Sequence, residues 1–555
     1  MIVNNQRLSW EQAQFHTCKT LLNCYIREYG HKEKLFSRDQ NQNNYSVFFP
    51  TSNVEISGSL SFYSAIGEHE YENFFVKGSR NVHYSDIVQW IVAELRTNNM
   101  DITDERAGDF LKKVQNSYEK LSIFLAHSSQ PPEWNYQSSE QSLVYGHPFH
   151  PFPKNTLGFS EREVKQFCPE LRTSFQLCYL AVRHDMFEEE WAVGEEKIKW
   201  PETVKEQARQ LLNEKEEEYA ILPVHPWQYE NVLLVEDVQK YIKEGKLILL
   251  GRFGPDAYPT SSVRTVYVPE MNCNIKLSLN IQITNMMRNN NREQMRRTMD
   301  ASNYLLRQKS FQNESHTSIS YETGVCGCRF ENDETTKLFT IVYRPIHFDT
   351  TSTYVLSSLI ETPAGEERSR LYSLIGSHSV EEWFKRYLAI SMIPMLCLAE
   401  KAGIHFEAHL QNTLLTIKEG MPYEFIIRDL EGVSVNKEKA ASNVDTDGPL
   451  FYTKEDAWAR TSYYFVVNHL GSMIHAIAKD AKKDEEYFWG IVNDVLVQEE
   501  KKSPNEYIRH LLTTPAFMAK KNMISCLVGK SETPFYVPVS NLVKKARSGI
   551  YASTV

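Results

Sequence analysis

The sequence lacks the features that would direct the chain out of the cell or into a membrane. Its N-terminal residues, MIVNNQRLSWEQAQFH, contain no basic segment followed by an apolar stretch, so no secretory signal is expected. The longest apolar run, residues 387–399, is too short to span a bilayer and contains Pro394. The nine cysteines form no CxxC pair, and we interpret the CxC at Cys326 and Cys328 as incidental. We therefore expect a reduced, cytoplasmic protein without a membrane partner.

Positive charge is not in excess either. The 555 residues carry a net charge of −10, which argues against nucleic acid as the main partner but permits a local cationic pocket. Hydrophobic residues make up 41% of the chain, which is enough for large cores. The length predicts about two to four domains, and the Ser- and Pro-rich residues 127–134 are a candidate linker.

The common nucleotide and hydrolase motifs are also missing. We find no GxxxxGK[ST], no convincing GxGxxG and no GxSxG in the chain. An ATP site here would therefore not be a P-loop, and no covalent nucleophile is evident. These absences favour a reaction that is driven by positioning and charge stabilisation.

One segment alternates between apolar and polar side chains over its whole length, which is typical of a half-buried strand. It is NIKLSLNIQIT, residues 274–284, whose polar face includes Lys276 and Thr284. From Lys276 to Thr284 such a strand rises roughly 27 Å at about 3.3 Å per residue. Since Arg288 lies beyond it, we expect Lys276 and Arg288 to serve opposite ends of a large substrate set.

A second candidate strand, PTSSVRTVY at residues 259–267, precedes a turn at residues 269–272. If the two strands form a hairpin, Arg264 and Lys276 lie roughly opposite each other, although a one-residue slip would put them on different faces. Facing like charges are destabilising, and a bound polyanion would offset their repulsion. Ser261, Ser262 and Thr265 would add hydroxyl groups to such a site.

The stretch HFEAHLQNTLL, residues 405–415, sets several polar side chains in an apolar frame. His405 and His409 are four residues apart, but Glu407 does not have the H-E-x-x-H spacing of a zinc protease. Three interpretations stay open at this point: a zinc site, a satisfied polar core, and a loop that positions a nucleotide and its metal.

The order of elements around this stretch favours the nucleotide loop. A long helix at residues 381–403, kinked by Pro394, precedes it, and a strand ending at Asp429 follows. Kinases use a similar order, in which a catalytic loop is followed by a strand that presents a metal-binding aspartate. Asp429 is then the natural carboxylate for Mg²⁺, unless it is only a turn or cap residue.

Two loops rich in His and Pro could also hold an anion. GHPFHPFPKNTLGF, residues 146–159, stiffens His150 and Lys154, which suits an anion site or, equally, a rigid turn with a capping histidine. In LPVHPWQYE, residues 222–230, a structural role for His225 and Gln228 is favoured.

Taken together and in order, GHPFHPFPK, LPVHPWQ, TSSVRT, KLSLNIQITNMMR, HFEAHLQN and RDLEG resemble the IucA/IucC family of template-independent siderophore synthetases. The resemblance covers about residues 140–432. It implies an α+β, multi-domain architecture of thumb (1–135), fingers (136–375) with an antiparallel sheet, and a helix-rich, distantly kinase-like palm (376–555). It also implies an ATP-dependent ligase that adenylates a carboxylate of citrate or a citryl derivative. The acyl group then passes to an amine, with release of AMP and pyrophosphate, and the enzyme is expected to be a homodimer.

The resemblance, added to the residue-level reading, assigns roles by position. The expected ATP-binding residues are Ser261, Ser262, Arg264, Thr265, Lys276, His409, Gln411 and Asn412. The carboxylate substrate is expected at His150, Lys154, Thr284 and Arg288, and Mg²⁺ at Glu407 and Asp429.

One departure from the family pattern concerns the acid. Many members read K-x-R, whereas Lys154 is followed here by Asn155 and Thr156, so that a cation is missing. This difference is compatible with an acid that has one fewer carboxylate, such as a citryl monoamide. A kinase-like phosphotransferase and a non-catalytic nucleotide- or carboxylate-binding protein remain as rival functions.

Overall fold

A computed structural model describes residues 2–39, 43–76, 82–98, 100–127, 133–213, 215–308, 316–441 and 444–546. The candidate linker at residues 127–134 lies largely outside these described residues. The structure is mixed α/β with mainly antiparallel sheets, and its described residues form several hydrophobic cores, of which the three largest are considered below.

The N-terminal region packs three helices against a small antiparallel sheet in which β3 is paired with β2, β4 and β5. Its helices are α1 (Ile2–Tyr25), α2 (Tyr84–Thr97) and α3 (Asp104–His127). Its strands are β1 (Phe36–Arg38), β2 (Asn44–Phe49), β3 (Val54–Phe62), β4 (Glu70–Tyr71) and β5 (Phe75–Val76).

The middle of the chain is built on an eight-stranded antiparallel sheet in the order β8-β16-β17-β12-β11-β10-β7-β9. The helices of this part are α4 (Tyr136–Glu140), α5 (Glu161–Phe167), α6 (Glu202–Leu212), α7 (Pro226–Val232), α8 (Glu236–Lys243), α9 (Arg292–Gln308), α10 (Asp333–Thr336), α11 (Leu356–Ile360) and α12 (Arg370–Ile375). The strands are β6 (Thr156–Leu157), β7 (Phe175–Arg183), β8 (Phe187–Trp191), β9 (Tyr219–Val224), β10 (Leu247–Pro259), β11 (Thr265–Val268), β12 (Cys273–Lys276), β13 (Leu279–Ile283), β14 (Met286–Arg288), β15 (Thr317–Ser320), β16 (Gly324–Cys328), β17 (Ile341–Pro345) and β18 (Thr353–Val355).

The C-terminal part is rich in helices, as the sequence predicts. Its helices are α13 (Val380–Ile390), α14 (Met392–Ala402), α15 (Lys454–Thr461), α16 (Gly471–Ala481), α17 (Glu485–Lys502), α18 (Glu506–Thr513), α19 (Asn522–Leu527) and α20 (Leu542–Lys545). Its strands are β19 (Ile404–His405), β20 (Thr413–Lys418), β21 (Met421–Arg428), β22 (Ser434–Asn436), β23 (Phe451–Tyr452), β24 (Ala516–Lys520) and β25 (Tyr536–Ser540).

The alternating segment at residues 274–284 forms two strands rather than one. Its five apolar residues are all buried, as predicted, but β12 belongs to the large sheet and β13 to a three-stranded sheet with β6 and β14. After β13 the chain reverses at Thr284, so that Arg288 pairs with Leu279, only three residues beyond Lys276. The prediction that Lys276 and Arg288 are held far apart by an extended strand is therefore wrong.

The helix predicted at residues 381–403 is interrupted at Ser391, where α13 ends and α14 begins. Pro394 has no N–H to give to the carbonyl of Ile390, and its ring crowds that carbonyl. The hydroxyl of Thr317 on β15 donates a hydrogen bond to this carbonyl at 2.5 Å. The predicted kink is thus a full break, and a side chain from a neighbouring strand satisfies the freed oxygen.

Each region contributes buried apolar side chains to a core, and the cores are joined across the sequence. The N-terminal core contains Met523, Ile524 and Leu527 from α19, although α19 lies near the other end of the chain. All nine cysteines are free thiols, and Cys326 and Cys328 are buried in the core of the middle region. No helix in the described part of the chain is long and apolar enough to cross a membrane.

Candidate active site

A cavity of about 450 Å³ lies where the middle and C-terminal parts of the chain meet. Its lining includes nearly all residues that the sequence proposes for the site, namely Lys154, Ser261, Ser262, Arg264, Thr265, Lys276, Thr284, Arg288, Glu407, His409, Gln411, Asn412 and Asp429. His150 is not among the lining residues. Distant stretches of chain therefore converge on one cavity.

The hairpin β11–β12 supplies two of the cations. In its register Thr265 is opposite Lys276, while the amide of Leu277 donates to the carbonyl of Arg264. Arg264 and Lys276 therefore do not face each other, and the pairing differs by one residue from the predicted one. Both cations nevertheless line the cavity, and Thr265 lines it beside them.

Lys276 is neutralised by carboxylates at the end of β21. Its ammonium lies 3.1 Å from Asp429 and 3.3 Å from Glu431. Burial alone would raise the pKa of Asp429, but Lys276, Arg344 and Arg264 outweigh it and hold that pKa well below its usual range. Asp429 is therefore ionised at neutral pH.

The loop between β19 and β20 separates the two histidines that the sequence places together. His405 is buried against the hydroxyl of Thr461, which is a structural role. His409 lines the cavity, and burial lowers its pKa so that its ring is neutral near pH 7. The described residues contain no cluster of three or more His, Cys, Asp or Glu side chains that could hold a metal, so the zinc interpretation has no support.

Three further side chains hold this loop against the hairpin. Gln411 donates to the hydroxyl of Ser261 at 3.3 Å, and Ser261 donates to Glu140 at 2.9 Å. Arg428 donates to the carbonyl of Gln411 at 2.7 Å and forms a buried ion pair with Glu140. This network crosses between the middle and C-terminal parts and fixes the loop in place.

Glu407 and Asp429 line the cavity together, as a Mg²⁺ site requires. Gly432 permits the close approach of Glu407, because a Cβ at Gly432 would lie 2.5 Å from the Cβ of Glu407 and 2.8 Å from its Oε2. Asn412 donates to the carbonyl of Glu407 at 3.2 Å, and Arg460 pairs with its carboxylate at 3.1 Å. A donor set of one or two carboxylates fits Mg²⁺ that is otherwise held by phosphates and water.

The residues proposed for the acid adjoin those proposed for ATP, since Arg264 donates to the carbonyl of Arg288 at 3.1 Å. Arg288 donates to the hydroxyl of Thr284 at 3.3 Å, and burial, assisted by Arg264, lowers the pKa of Arg288 to about 10. Burial likewise lowers the pKa of His150 to about 4, so this ring is neutral behind the lining. Lys154 is not a free cation, since it lies 2.8 Å from the buried carboxylate of Glu170.

The backbone is strained at three places around this cavity. Val263, Thr284 and Asp429 have φ values of 67°, 55° and 68°, in the left-handed region that β-branched residues in particular avoid. Each such residue costs on the order of 1–3 kcal/mol, which the surrounding structure must offset. Strain of this kind concentrates at functional sites, and here all three strained residues line the cavity.

The sequence did not identify several cations of the lining. They are Arg297 on α9, Arg344 on β17, Arg428 on β21, Arg460 on α15 and Lys520 on β24. Within the described residues, Arg264, Arg288, Arg297 and Lys520 line the cavity without an ion-pair carboxylate. Arg297 and Lys520 instead donate to tyrosine hydroxyls, at 2.8 Å to Tyr452 and 2.6 Å to Tyr464.

The second His/Pro loop has the structural role that the sequence favours. His225 is fully buried, and its ring accepts a hydrogen bond from the amide of Trp227 at the start of α7. Gln228 bonds to the carbonyl of Leu338 and the amide of Asn280. It therefore braces β13 from behind.

Comparisons with known proteins identify the family of the chain. A model described as the IucA / IucC family matches residues 135–360, and one described as a ferric iron reductase FhuF-like transporter matches residues 381–534. Among curated proteins, the L-2,3-diaminopropanoate–citrate ligase of Staphylococcus aureus is 31% identical, over 96% of this chain and 96% of that protein. The spermidine–citrate ligase of Bacillus anthracis is 25% identical, over 95% and 97% of the two chains.

Solved structures show that the fold is shared along nearly the whole chain. The ATP-bound aerobactin synthetase IucA of Klebsiella pneumoniae superposes with a TM-score of 0.85 at 21% identity, covering 95% of this chain and 99% of that one. The petrobactin biosynthesis protein AsbB of Bacillus anthracis gives a TM-score of 0.82 at 18% identity, covering 98% of each chain. The chain therefore belongs to the IucA/IucC family of siderophore synthetases, and it is a ligase.

Proposed function

We propose that this ligase uses ATP to adenylate a carboxylate of citrate or a citryl derivative, and then transfers the acyl group to an amine to form an amide. The observation that carries the proposal is the charge of the cavity, where cations without ion-pair carboxylates lie beside two carboxylates suited to Mg²⁺. A triphosphate and an organic acid need that combination, since both are anions and one of them is bound with a metal.

The first step is attack of the substrate carboxylate on the α-phosphorus of ATP, with pyrophosphate leaving. Arg264 and Lys276 neutralise the phosphate oxygens on which charge accumulates, and the neutral ring of His409 donates to the α-phosphate. Ser261, Ser262, Thr265, Gln411 and Asn412 complete the proposed ATP site. Arg288 orients the acid for in-line attack, with Thr284 and the neighbouring His150 in support.

Glu407 and Asp429 would hold Mg²⁺, which supplies positive charge to the phosphates when it is bound. In the structure these carboxylates are paired with Arg460 and Lys276, and each ion pair holds its carboxylate in place.

The second step is attack of a neutral amine on the acyl carbon, with AMP leaving. The named activities of the relatives favour an amine of this kind, since diaminopropanoate–citrate ligase and spermidine–citrate ligase both pair citrate with an amine-bearing compound. The acid and the amine of this chain are therefore best sought among such compounds.

The proposal extends to the architecture. We infer a thumb (1–135), fingers (136–375) and a distantly kinase-like palm (376–555). The inference is supported by the order of a loop with Glu407 and Asn412, two strands and then Asp429, which follows the helix pair α13–α14. A homodimer remains a prediction from the family.

The test is a product analysis with the purified chain, ATP and Mg²⁺. Citrate, citryl monoamides, succinyl derivatives and 2-oxoglutarate are each combined with diamines, polyamines and hydroxylamines. One active combination should release AMP and pyrophosphate in equal amounts with one amide. Formation of ADP would instead establish a phosphotransferase, and tight binding without turnover would establish a binding protein.

The site assignment is tested separately with Lys276→Ala, which should lower the rate of adenylation at least about tenfold, or about 1.4 kcal/mol of transition-state stabilisation. Lys240→Ala is a matched control, because Lys240 is exposed on α8 and does not line the cavity. Wild-type turnover by Lys276→Ala would refute the assignment.

A further inference from the structure

Four buried acceptor atoms in the lining of the cavity have no hydrogen-bond donor among the described residues, and they include Oδ1 of Asn289 and the hydroxyl oxygen of Thr156. The other two belong to residues next to Lys154. They are Oε2 of Glu170 and Oδ1 of Asn155. The side chain of Glu170 is 7% exposed and Asn155 is 0% exposed. Buried polar atoms are rarely left without a partner, because such an atom has given up its hydrogen bonds to water.

The remaining atoms of these two side chains are already engaged, so their orientations are fixed. Oε1 of Glu170 accepts from the ammonium of Lys154 at 2.8 Å, and Nδ2 of Asn155 donates to the carbonyl of Thr284 at 2.6 Å. The free oxygens therefore cannot satisfy themselves by simple rotation without breaking those bonds. Asn155 is thus held beside Thr284, one of the residues proposed for the acid, and Glu170 is held by Lys154, which precedes Asn155 in the chain.

The chemistry of these two atoms specifies the ligand group that would satisfy them. A carboxylate oxygen and an amide oxygen only accept hydrogen bonds, so the missing partner is a donor. The carboxylates of free citrate are acceptors, and its hydroxyl is a single donor. An amide N–H or an ammonium group supplies the donors that are lacking, and the neighbouring carboxylate of Glu170 favours a positively charged donor.

A donor group near Asn155 needs a hydrogen-bond acceptor instead. Nε of Arg288 is also buried without a partner, and this atom calls for an acceptor such as a substrate carboxylate. This part of the cavity therefore offers a site for a carboxylate at Arg288 and a site for a donor at Glu170 and Asn155. A substrate, or a pair of substrates, that carries both groups would satisfy each of them.

We propose that Glu170 and Asn155 form a subsite that recognises an N–H donor group of the substrates. The donor is either the amide nitrogen of an acid that is already partly amidated, or the nitrogen of the incoming amine. Lys154 holds Glu170 in position. This inference rests on the proposed acid–amine ligation, whose success is read independently from pyrophosphate release by the wild-type enzyme.

Glu170→Gln is the decisive variant. Its amide oxygen can keep the bond to Lys154, while its NH₂ group replaces Oε2 and turns the acceptor into a donor. Glu161→Gln is the matched control, since Glu161 also pairs with a lysine, Lys165, but at the surface of α5. If Glu170→Gln fails to fold, Glu170→Asp carries the same comparison, because it keeps both acceptors but withdraws them by one methylene group.

Two assays distinguish the sources of the donor. ATP–pyrophosphate exchange is measured without amine, with citrate and with a citryl monoamide, and the complete condensation is then measured over a range of amine concentrations. A KM that rises at least about tenfold for the monoamide but not for citrate supports the proposal and places the nitrogen on the acid. Unchanged exchange with a similarly raised KM for the amine supports it and places the nitrogen on the amine.

The proposal is overturned if Glu170→Gln leaves every KM within twofold of the wild type, or if it raises the KM for citrate and for the monoamide equally. The first result would mean that no ligand reaches Oε2, and the second that Glu170 acts only through Lys154. Failure of the wild-type enzyme to release pyrophosphate with any acid would instead refute the proposed function.

Discussion

Charged side chains around the cavity are largely paired before any ligand binds. Lys276 holds Asp429, Arg460 holds Glu407, and Lys154 holds Glu170. In each pair a charge is balanced by one of opposite sign in a partly buried place, where a lone charge would be costly. Under the proposed function, Lys276 would exchange its carboxylate for a phosphate oxygen of ATP, and Asp429 would then be available to hold Mg²⁺.

Asp429→Asn tests this exchange at the residue scale. Asparagine tolerates the left-handed backbone at φ 68°, so the substitution removes the charge and leaves the turn intact. We expect kcat/KM to fall at least about tenfold, and the Mg²⁺ concentration that gives half-maximal pyrophosphate release to rise. Glu424→Gln is the control, because Glu424 lies on β21, just before Asp429, but does not line the cavity. An unchanged Mg²⁺ dependence in Asp429→Asn would contradict the role of Asp429.

Arg297 offers a second test with a neighbouring control. It lines the cavity, and its Nε is buried without a partner, whereas Arg296 is exposed and pairs with Asp300. Arg297→Ala should lower kcat/KM for ATP or the acid at least about threefold, because a cation is lost from the anion site. Arg296→Ala should stay within twofold of the wild type in the same steady-state assay. Equal effects of the two substitutions would show that Arg297 acts only through stability.

The site residues that could be predicted from the sequence lie in local motifs. Lys276 lies on a recognisable strand, and Arg264 and Asp429 lie next to one, so their positions were identifiable from periodicity and the order of elements. Arg297 and Lys520 come from a helix and a strand with no local signature. Only the tertiary packing brings them to the cavity, and no short-range pattern contains that information.

At the scale of elements, the sequence predicted which side chains are buried but not where the chain reverses. The apolar periodicity of residues 274–284 correctly predicted which side chains are buried, since burial depends on alternation. It did not predict the division into β12 and β13, because both strands share the same alternation. The reversal at Thr284 uses a left-handed residue that is neither Gly nor Asn, and it therefore gave no turn signal.

The break between α13 and α14 makes a prediction of its own. Thr317→Val removes the hydroxyl that satisfies the carbonyl of Ile390, so the free energy of unfolding should fall by about 1–3 kcal/mol. Pro394→Ala restores an N–H that can bond to that carbonyl. In urea unfolding, the double variant should therefore be more stable than the sum of the two single effects predicts. Additive effects would mean that the hydroxyl of Thr317 is not compensating for the proline.

At the scale of the whole molecule, a buried ionic cluster joins the N-terminal region to the C-terminal helices. His475 on α16 lies between Glu70 at 3.3 Å and Glu485 at 3.2 Å. Glu485 also accepts hydrogen bonds from the hydroxyl of Ser64 and the amide of Ala65, each at 2.7 Å. The cluster connects regions that are far apart in sequence. The hydrogen bond between Ser64 and Glu485, for example, joins residues that are 421 positions apart.

The stability of the protein should consequently fall in alkaline solution. Burial alone would lower the pKa of His475, but Glu68, Glu485 and Glu70 outweigh it and raise the pKa to about 9. Because this pKa is above the unfolded value near 6.5, the stabilisation is complete below pH 6.5 and is lost as the pH rises through 9. We expect a loss of roughly 3 kcal/mol over that window in urea unfolding. His475→Gln should flatten the dependence, and an equally steep loss in that variant would assign it to other groups.

The docking of α19 in the N-terminal core has a consequence for how the protein is made. Both oxygens of Glu28 accept backbone amides of α19, from Met523 and Ile524, each at 2.9 Å and across almost five hundred residues. During translation the N-terminal helices emerge before α19 has been made. The apolar residues that α19 covers in the N-terminal core are then exposed to water. Final assembly of the N-terminal region must therefore wait until residue 527 has left the exit tunnel. During that delay a chaperone would bind the exposed apolar surface.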